Sequence, residues 1–402
     1  DAGNFYILAN NVVKFTDTGL PSDGSVDFNF IVGFSNDGYN GAQWAESYVN
    51  FGQKAFSYAV PSGYKTLSSA NAPITIDPID TEMPNDHFEA KVYTGLSDPQ
   101  TFKHLKFKPD LLIIKRLDSA DSWQVYDSER GPSKQLEMAA TSAQYQQDGS
   151  SLLSFNSDGF SLGADASERV NKASAQYVSY AFKAGGDTVL NEVGDIDSQV
   201  SANQAAGFSI IRNTGTANYS ATIGHGLSQA PELIIQKTVG ASADWYVLVN
   251  LDGTGSWDWG KLNTDAVFTA DVHSFSTTAT TIKNWGWGGY DMINYCWHSV
   301  AGYSSIGKYI GNGSATPGTL VHTGFEPAFL MVKRTDQAGD RWVVFDNKRD
   351  VTNTRTTGIS PNLTTAEITN FDVDFLSNGF QFKDAESALN ASGATYFYFA
   401  IA

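Results

Sequence analysis

A chain of 402 residues with 41% hydrophobic content is long enough for two to four domains and too apolar for wholesale disorder. Its net charge of −17 argues against nucleic acid as a partner, because phosphate repels such a surface and no Lys/Arg run offsets it. No apolar stretch reaches the length of a membrane helix, and the single cysteine, Cys296, leaves no disulfide to form within the chain.

The many Gly, Ser, Thr, Asn, Tyr, Phe and Trp residues favour strands and turns, so the expected fold class is all-β. Asp1 stands where a start methionine would, as in a processed form or a fragment, and no signal-peptide pattern opens the chain. Residues 1–58, with FYILANNVVKFTDTG and FNFIVGFSNDGYNG, read as strands and turns too few for a complete sandwich. They are expected to be the end of a larger β domain. Residues 59–87 hold four of the twelve prolines and read as an extended linker.

From there one pattern is written three times. KPDLLIIKR (108–116), APELIIQKT (230–238) and EPAFLMVKR (326–334) are each followed by a tryptophan strand, WQVYD, WYVLV and WVVFD. A histidine precedes each phrase: His104, His225 and His322. Two copies continue with SFNSDGFSLG and DFLSNGFQFK, where Asp-Gly or Asn-Gly between alternating apolar residues signals a hairpin; the middle copy has SFSTTATTIK instead. Each closes on an aromatic alternation. The repeats are therefore 88–186, 207–301 and 302–402, with a linker at 187–206, each an antiparallel β-sandwich. In this reading each phrase is a buried strand whose Lys-Arg marks its exit to solvent. Residues 132–146 and 359–370 are candidate short helices, and the abutting second and third repeats are expected to form a rod.

The segment VNFGQKAFSYAVPSGYKTL (49–67) resembles the closing strand of lectin-like (SPRY or concanavalin A-like) sandwiches of predicted bacteriophage tail proteins. The pattern GFxPxxxxxKR, a tryptophan strand, SDGF or SNGF and an aromatic strand resembles an uncharacterised repeat family of predicted phage virion and tail-fibre proteins, many marine. The middle copy departs from it, lacking both the arginine after Lys237 and the glycine turn. The resemblance implies a virion or tail component and leaves open which one; the leading expectation is a tail-fibre or surface-appendage component working in host attachment, in a virion or extracellular location. Its expected partners are sibling subunits, with a trimer as the guess, other virion proteins and a host surface glycan. A carbohydrate-binding adhesin, a capsid decoration protein and a polysaccharide-degrading spike are the alternatives.

Chemistry-bearing motifs are sparse. No HExxH, GxSxG, Walker A or CxxC pattern occurs, so neither catalysis, nor a metal, nor a cofactor is expected. The glycine-rich stretch 311–318 carries Pro317 and no helical pattern behind it, and reads as a turn. The three histidines are expected to bond to their own turns. Asp127 with Arg130 and Asp346 with Arg349 read as surface pairs or turn caps. Six of the nine tryptophans fall in the middle repeat, which makes it the candidate ligand site. Trp257, Trp259, Trp285, Trp287 and Tyr290 form a candidate aromatic platform for sugar rings or a protein partner. The competing reading is that these rings fill the core of a repeat that lost its hairpin turn, or bury against a neighbouring subunit.

Overall fold

The computed structural model describes residues 5–9, 12–17 and 83–402, apart from 148, 166, 252–254, 272–273 and 286–287. The chain divides into two compact units, 1–74 and 75–402. In the first, β1 (Phe5–Ala9) pairs antiparallel with β2 (Val12–Asp17). The rest of the expected lectin-like segment and its linker up to residue 82 lies outside the described residues.

The regular secondary structure of the second unit is almost entirely strand, antiparallel throughout its ladders. Its first repeat runs β3 (Phe88–Thr94), β4 (Gln100–Phe102), β5 (Leu111–Arg116), β6 (Gln124–Asp127), β7 (Lys134–Glu137), β8 (Tyr145–Gln146), β9 (Leu152–Asn156), β10 (Gly159–Leu162) and β11 (Gln176–Phe182). After β12 (Val189–Asn191) and β13 (Ser198–Asn203), the second has β14 (Phe208–Thr214), β15 (Thr222–Gly224), β16 (Leu233–Thr238), β17 (Trp245–Val249), β18 (Asp258–Lys261), β19 (Thr269–Ala270), β20 (Thr281–Lys283) and β21 (Asp291–Trp297). The third has β22 (Ser304–Ile310), β23 (Leu320–His322), β24 (Phe329–Arg334), β25 (Val343–Asp346), β26 (Val373–Leu376), β27 (Gly379–Phe382), the short α1 (Ser387–Asn390) and β28 (Thr395–Ile401).

One strand order recurs in the three main sheets: β3-β11-β5-β6, β14-β21-β16-β17 and β22-β28-β24-β25. The registers match as well, with Phe182 opposite Leu111, Trp297 opposite Leu233 and Ile401 opposite Phe329. A smaller sheet covers one face of each: β4-β10-β9, β15-β20 and β23-β27-β26. These are sandwiches, each with its own core, such as Leu112, Ile114 and Phe160 in the first or Leu330, Val332 and Phe380 in the third.

The other face of all three main sheets meets in one common core. Leu111, Trp123 and Tyr180 from the first repeat, Leu233, Trp245 and Tyr295 from the second, and Phe329, Trp342 and Phe399 from the third belong to it. This explains the thrice-written phrase. In β24, Phe329 and Met331 point into the common core while Leu330 and Val332 point into the private one. A strand buried on both faces needs an unbroken apolar run rather than an alternating one. The repeats therefore close on one another around a shared centre instead of extending as a rod.

Each junction is fastened by the same four hydrogen bonds, handed on cyclically. The tryptophan indoles donate to a neighbouring repeat: Trp123 Nε1 to Ser360 O at 2.9 Å, Trp245 Nε1 to Glu137 O at 2.8 Å and Trp342 Nε1 to Lys261 O at 3.1 Å. The phrase lysines do likewise: Lys115 Nζ to Thr364 O at 3.5 Å, Lys237 Nζ to Thr141 O at 3.0 Å and Lys333 Nζ to Asp265 O at 3.5 Å. Those three carbonyls also accept the backbone N–H of Asp121, Ala243 and Gly339, and Glu367, Gln144 and Phe268 donate to Leu117, Val239 and Thr335. These lysines are fully buried, so the expected exit to solvent is wrong for them. Alternation along the strand turns each towards the junction, and burial pushes their pKa values down to about 8. The segments read as helices, 132–146 and 359–370, are instead short strands, bridges and turns that reach the neighbouring repeat.

The glycine of SDGF and SNGF also has a different role from the expected one. The turns are Ser157-Asp158 and Ser377-Asn378, and Gly159 and Gly379 begin the returning strands. A Cβ on either would collide with a backbone carbonyl of the third strand, Phe102 O or Val321 O.

Candidate functional site

The paired Asp and Arg residues are not on the surface. Asp127 and Arg130 are buried, as are the side chains of Asp346 and Arg349. Asp127 Oδ1 accepts Arg130 N at 2.8 Å, while Oδ2 accepts Arg130 Nε at 2.6 Å and, from the second repeat, Tyr295 OH at 2.6 Å. Asp346 repeats the arrangement with Arg349 N at 2.8 Å, Arg349 Nε at 2.5 Å and Tyr180 OH of the first repeat at 2.7 Å. Burial works against the Asp346 carboxylate, but Arg349 and Tyr180 hold its pKa below the usual value. Tyr180 and Tyr295 are raised well above theirs by burial and by the facing carboxylate. With their lone pairs occupied across a junction, these carboxylates are structural clasps. At the third junction both partners change together, with Val249 and Phe399 in the equivalent ladder positions.

Ladder register separates the histidines. Phe102, Ile223 and Val321 are equivalent, facing Phe160, Ile282 and Phe380, so His104 and His225 lie two residues on and His322 one. His225 meets the expectation of a turn-bonded histidine: its Nδ1 accepts Leu227 N at 3.1 Å and Nε2 lies 3.1 Å from Thr278 O. The His104 nitrogens have no hydrogen-bond partner, and the ring packs edge-on to Phe102 and Phe160. Burial, with Lys91 and Lys348, lowers its pKa to about 4. His322 is exposed, with Asn378 Nδ2 at 3.3 Å. Among the described residues no three His, Cys, Asp or Glu side chains gather as metal ligands. Cys296 is buried in the private core of the second repeat, which raises its thiol pKa far above normal. The 311–318 turn wraps the buried Asn390, whose Nδ2 donates to Ser314 O at 2.9 Å.

The tryptophans of the second repeat divide between core and rim. Trp257 is 4% exposed and packs edge-on to Phe275, with ring centroids 4.9 Å apart, so it fills the private core. Trp259 and Trp285 are half-buried, packed on that core from outside. They belong to a row of rings: Tyr246 to Trp259 at 6.0 Å, Trp259 to Trp285 at 6.1 Å with planes 45° apart, and Trp285 to Tyr219 at 6.4 Å. Tyr219 is 40% exposed. Tyr290 is as exposed, but among the described residues no ring contact joins it to Trp259 or Trp285. Trp287 lies outside the described residues.

Tyr219 and Tyr246 were not among the sequence candidates, since isolated tyrosines carry no local signal. Their setting differs from the matching positions of the other repeats. In the first and third repeats the positions of Tyr246 are held by Gln124 and Val343, and those of Trp259 by Gln135 and Gly358, facing inward under a three-stranded cover. In the second repeat the third strand is reduced to the bridge Thr277–Ile282 beside β15-β20, and there Trp259 and Trp285 are half-buried and Tyr219 is exposed. Asn284 steadies this rim, its Nδ2 donating to Thr216 O at 2.8 Å and Asn218 O at 3.1 Å in the loop that carries Tyr219.

Elsewhere, an apolar cavity of about 40 Å³ lies within the common core, bordered by Trp123, Ile235 and Phe399. A wide cleft of about 530 Å³ between the first two repeats is lined by His87, Lys108, Asp110 and Asn203. Neither brings together a nucleophile, base and oxyanion donor.

No curated protein and no solved structure matches the chain. A family described as a domain of unknown function (DUF7483) matches residues 83–402, the whole of the three-repeat ring, and the chain belongs to that family.

Proposed function

We propose that the chain is a non-catalytic structural component of a virion, part of a tail fibre or related surface appendage working in host attachment. The observation that carries this reading is where the ring spends its buried charge. Both buried Asp–Arg pairs and all three phrase lysines fasten one repeat to the next, making a rigid block. The resemblance of the repeats to predicted phage tail-fibre proteins supports the virion setting, with sibling subunits and other virion proteins as partners. A carbohydrate-binding module is the second reading, favoured by the row of rings on the second repeat.

Immunogold labelling of phage particles with antibody against the chain tests the proposal. Label along the tail or its fibres is expected. Label on the capsid would point to a decoration protein, and particles without label would contradict a virion role.

A further inference from the structure

The Tyr246–Trp259–Trp285–Tyr219 row joins half-buried rings to the exposed Tyr219, and among the described residues it occurs on one repeat of three. We infer that it is a single binding site, one per chain, for a neutral oligosaccharide. The inference deepens the attachment reading above and rests on it for its biological setting.

Three features define the ligand. Half-buried aromatic rings can stack on the C–H faces of pyranoses, and packing on the core fixes Trp259 and Trp285 in place before binding, which limits the ordering cost. The 45° angle between Trp259 and Trp285 suits a soluble chain that turns from residue to residue and does not match a flat crystalline face. A net charge of −17 repels acidic polysaccharides, leaving neutral ones as the fitting class. Hydrogen-bonding groups flank the rings: Lys261 paired with Asp244 at 2.7 Å beside Tyr246, and Thr216 and Asn218 in the loop fastened by Asn284.

Stoichiometry separates this site from generic stickiness. If the repeats bound alike, three ligands would bind per chain. Gln135 and Gly358 in place of Trp259 remove the row from the other two.

The experiment is calorimetric titration of the full chain with maltohexaose, which turns, cellohexaose, which is extended, and a hyaluronan hexasaccharide, which is acidic. Tryptophan fluorescence follows each titration. The expected result is saturable binding of maltohexaose at one per chain, weaker binding of cellohexaose and none of hyaluronan. Trp285→Ala and Trp259→Ala should each weaken binding about tenfold, and Tyr219→Ala about threefold. Tyr219 is exposed, so its variant tests the site even where a tryptophan variant loses stability. The inference is overturned by no saturable binding of either neutral sugar, by three ligands per chain, or by binding that Tyr219→Ala and Trp285→Ala leave unchanged. Such a failure together with gold label on the tail would remove the sugar site and leave the structural role standing.

Discussion

Two of the three junctions in the ring are clasped by a buried carboxylate, guanidinium and phenol, and the third is apolar. At the first–second junction Tyr295 meets Asp127, at the third–first junction Tyr180 meets Asp346, and at the second–third junction Phe399 and Val249 hold the matching positions. Phenol and carboxylate are kept or lost as a pair, because either alone would be a buried polar group without its partner. A buried ion pair can be exchanged for packed apolar groups at little net cost, whereas removing half of it is expensive. The apolar junction is therefore an alternative solution of comparable strength.

The largest expected effect ignores this difference. Alanine in place of Trp123, Trp245 or Trp342 removes a fully buried ring from the common core and breaks an indole hydrogen bond across a junction. Each should cost about 3–5 kcal/mol in denaturant unfolding, whichever junction it touches. Asp127→Ala comes next, leaving Arg130 buried without its carboxylate, at about 3 kcal/mol. Val249→Ala, its counterpart at the apolar junction, leaves no charge behind and should cost less in the same assay. Phe399→Tyr brings the phenol back without the carboxylate, burying an unpaired hydroxyl at about 1–3 kcal/mol.

A pH dependence is common to all three junctions. The folded pKa of Lys115, Lys237 and Lys333 is lowered to about 8 from 10.5, so between these values the unfolded chain binds more protons and stability rises with pH. Above about pH 10 the sign reverses, because buried Tyr180 and Tyr295 keep protons that the unfolded chain loses. Unfolding midpoints measured from pH 7 to 11 should pass through a maximum, and Lys237→Met should flatten the rising limb.

The comparison of junctions also marks what the sequence carried. Repeats, strand order and sandwich class were legible because each copy had to satisfy the same ladder. The ring was encoded more faintly. Within one repeat the clasp looks mismatched, since the second has Tyr295 with Val249 and the third has Phe399 with Asp346. Pairing each aromatic residue with the preceding repeat, cyclically, restores every match. The unbroken runs LLII, LII and FLMV likewise pointed to burial on both faces. Lys115, Lys237 and Lys333 misled because a lysine at a strand end normally marks solvent, and nothing local announces carbonyls arriving from another repeat. In the tryptophan-rich site, Trp257 went to the core and Trp259 and Trp285 to the rim. That division is a property of tertiary packing.

The central claim is that three repeats share one core and close on one another. Hydrogen exchange of the Trp245→Ala chain, read strand by strand against the parent, tests it most directly. The expected result is that amides of β5, β16 and β24 lose protection together, because opening one junction opens the common core. Loss confined to β16, with β5 and β24 unchanged, would contradict it.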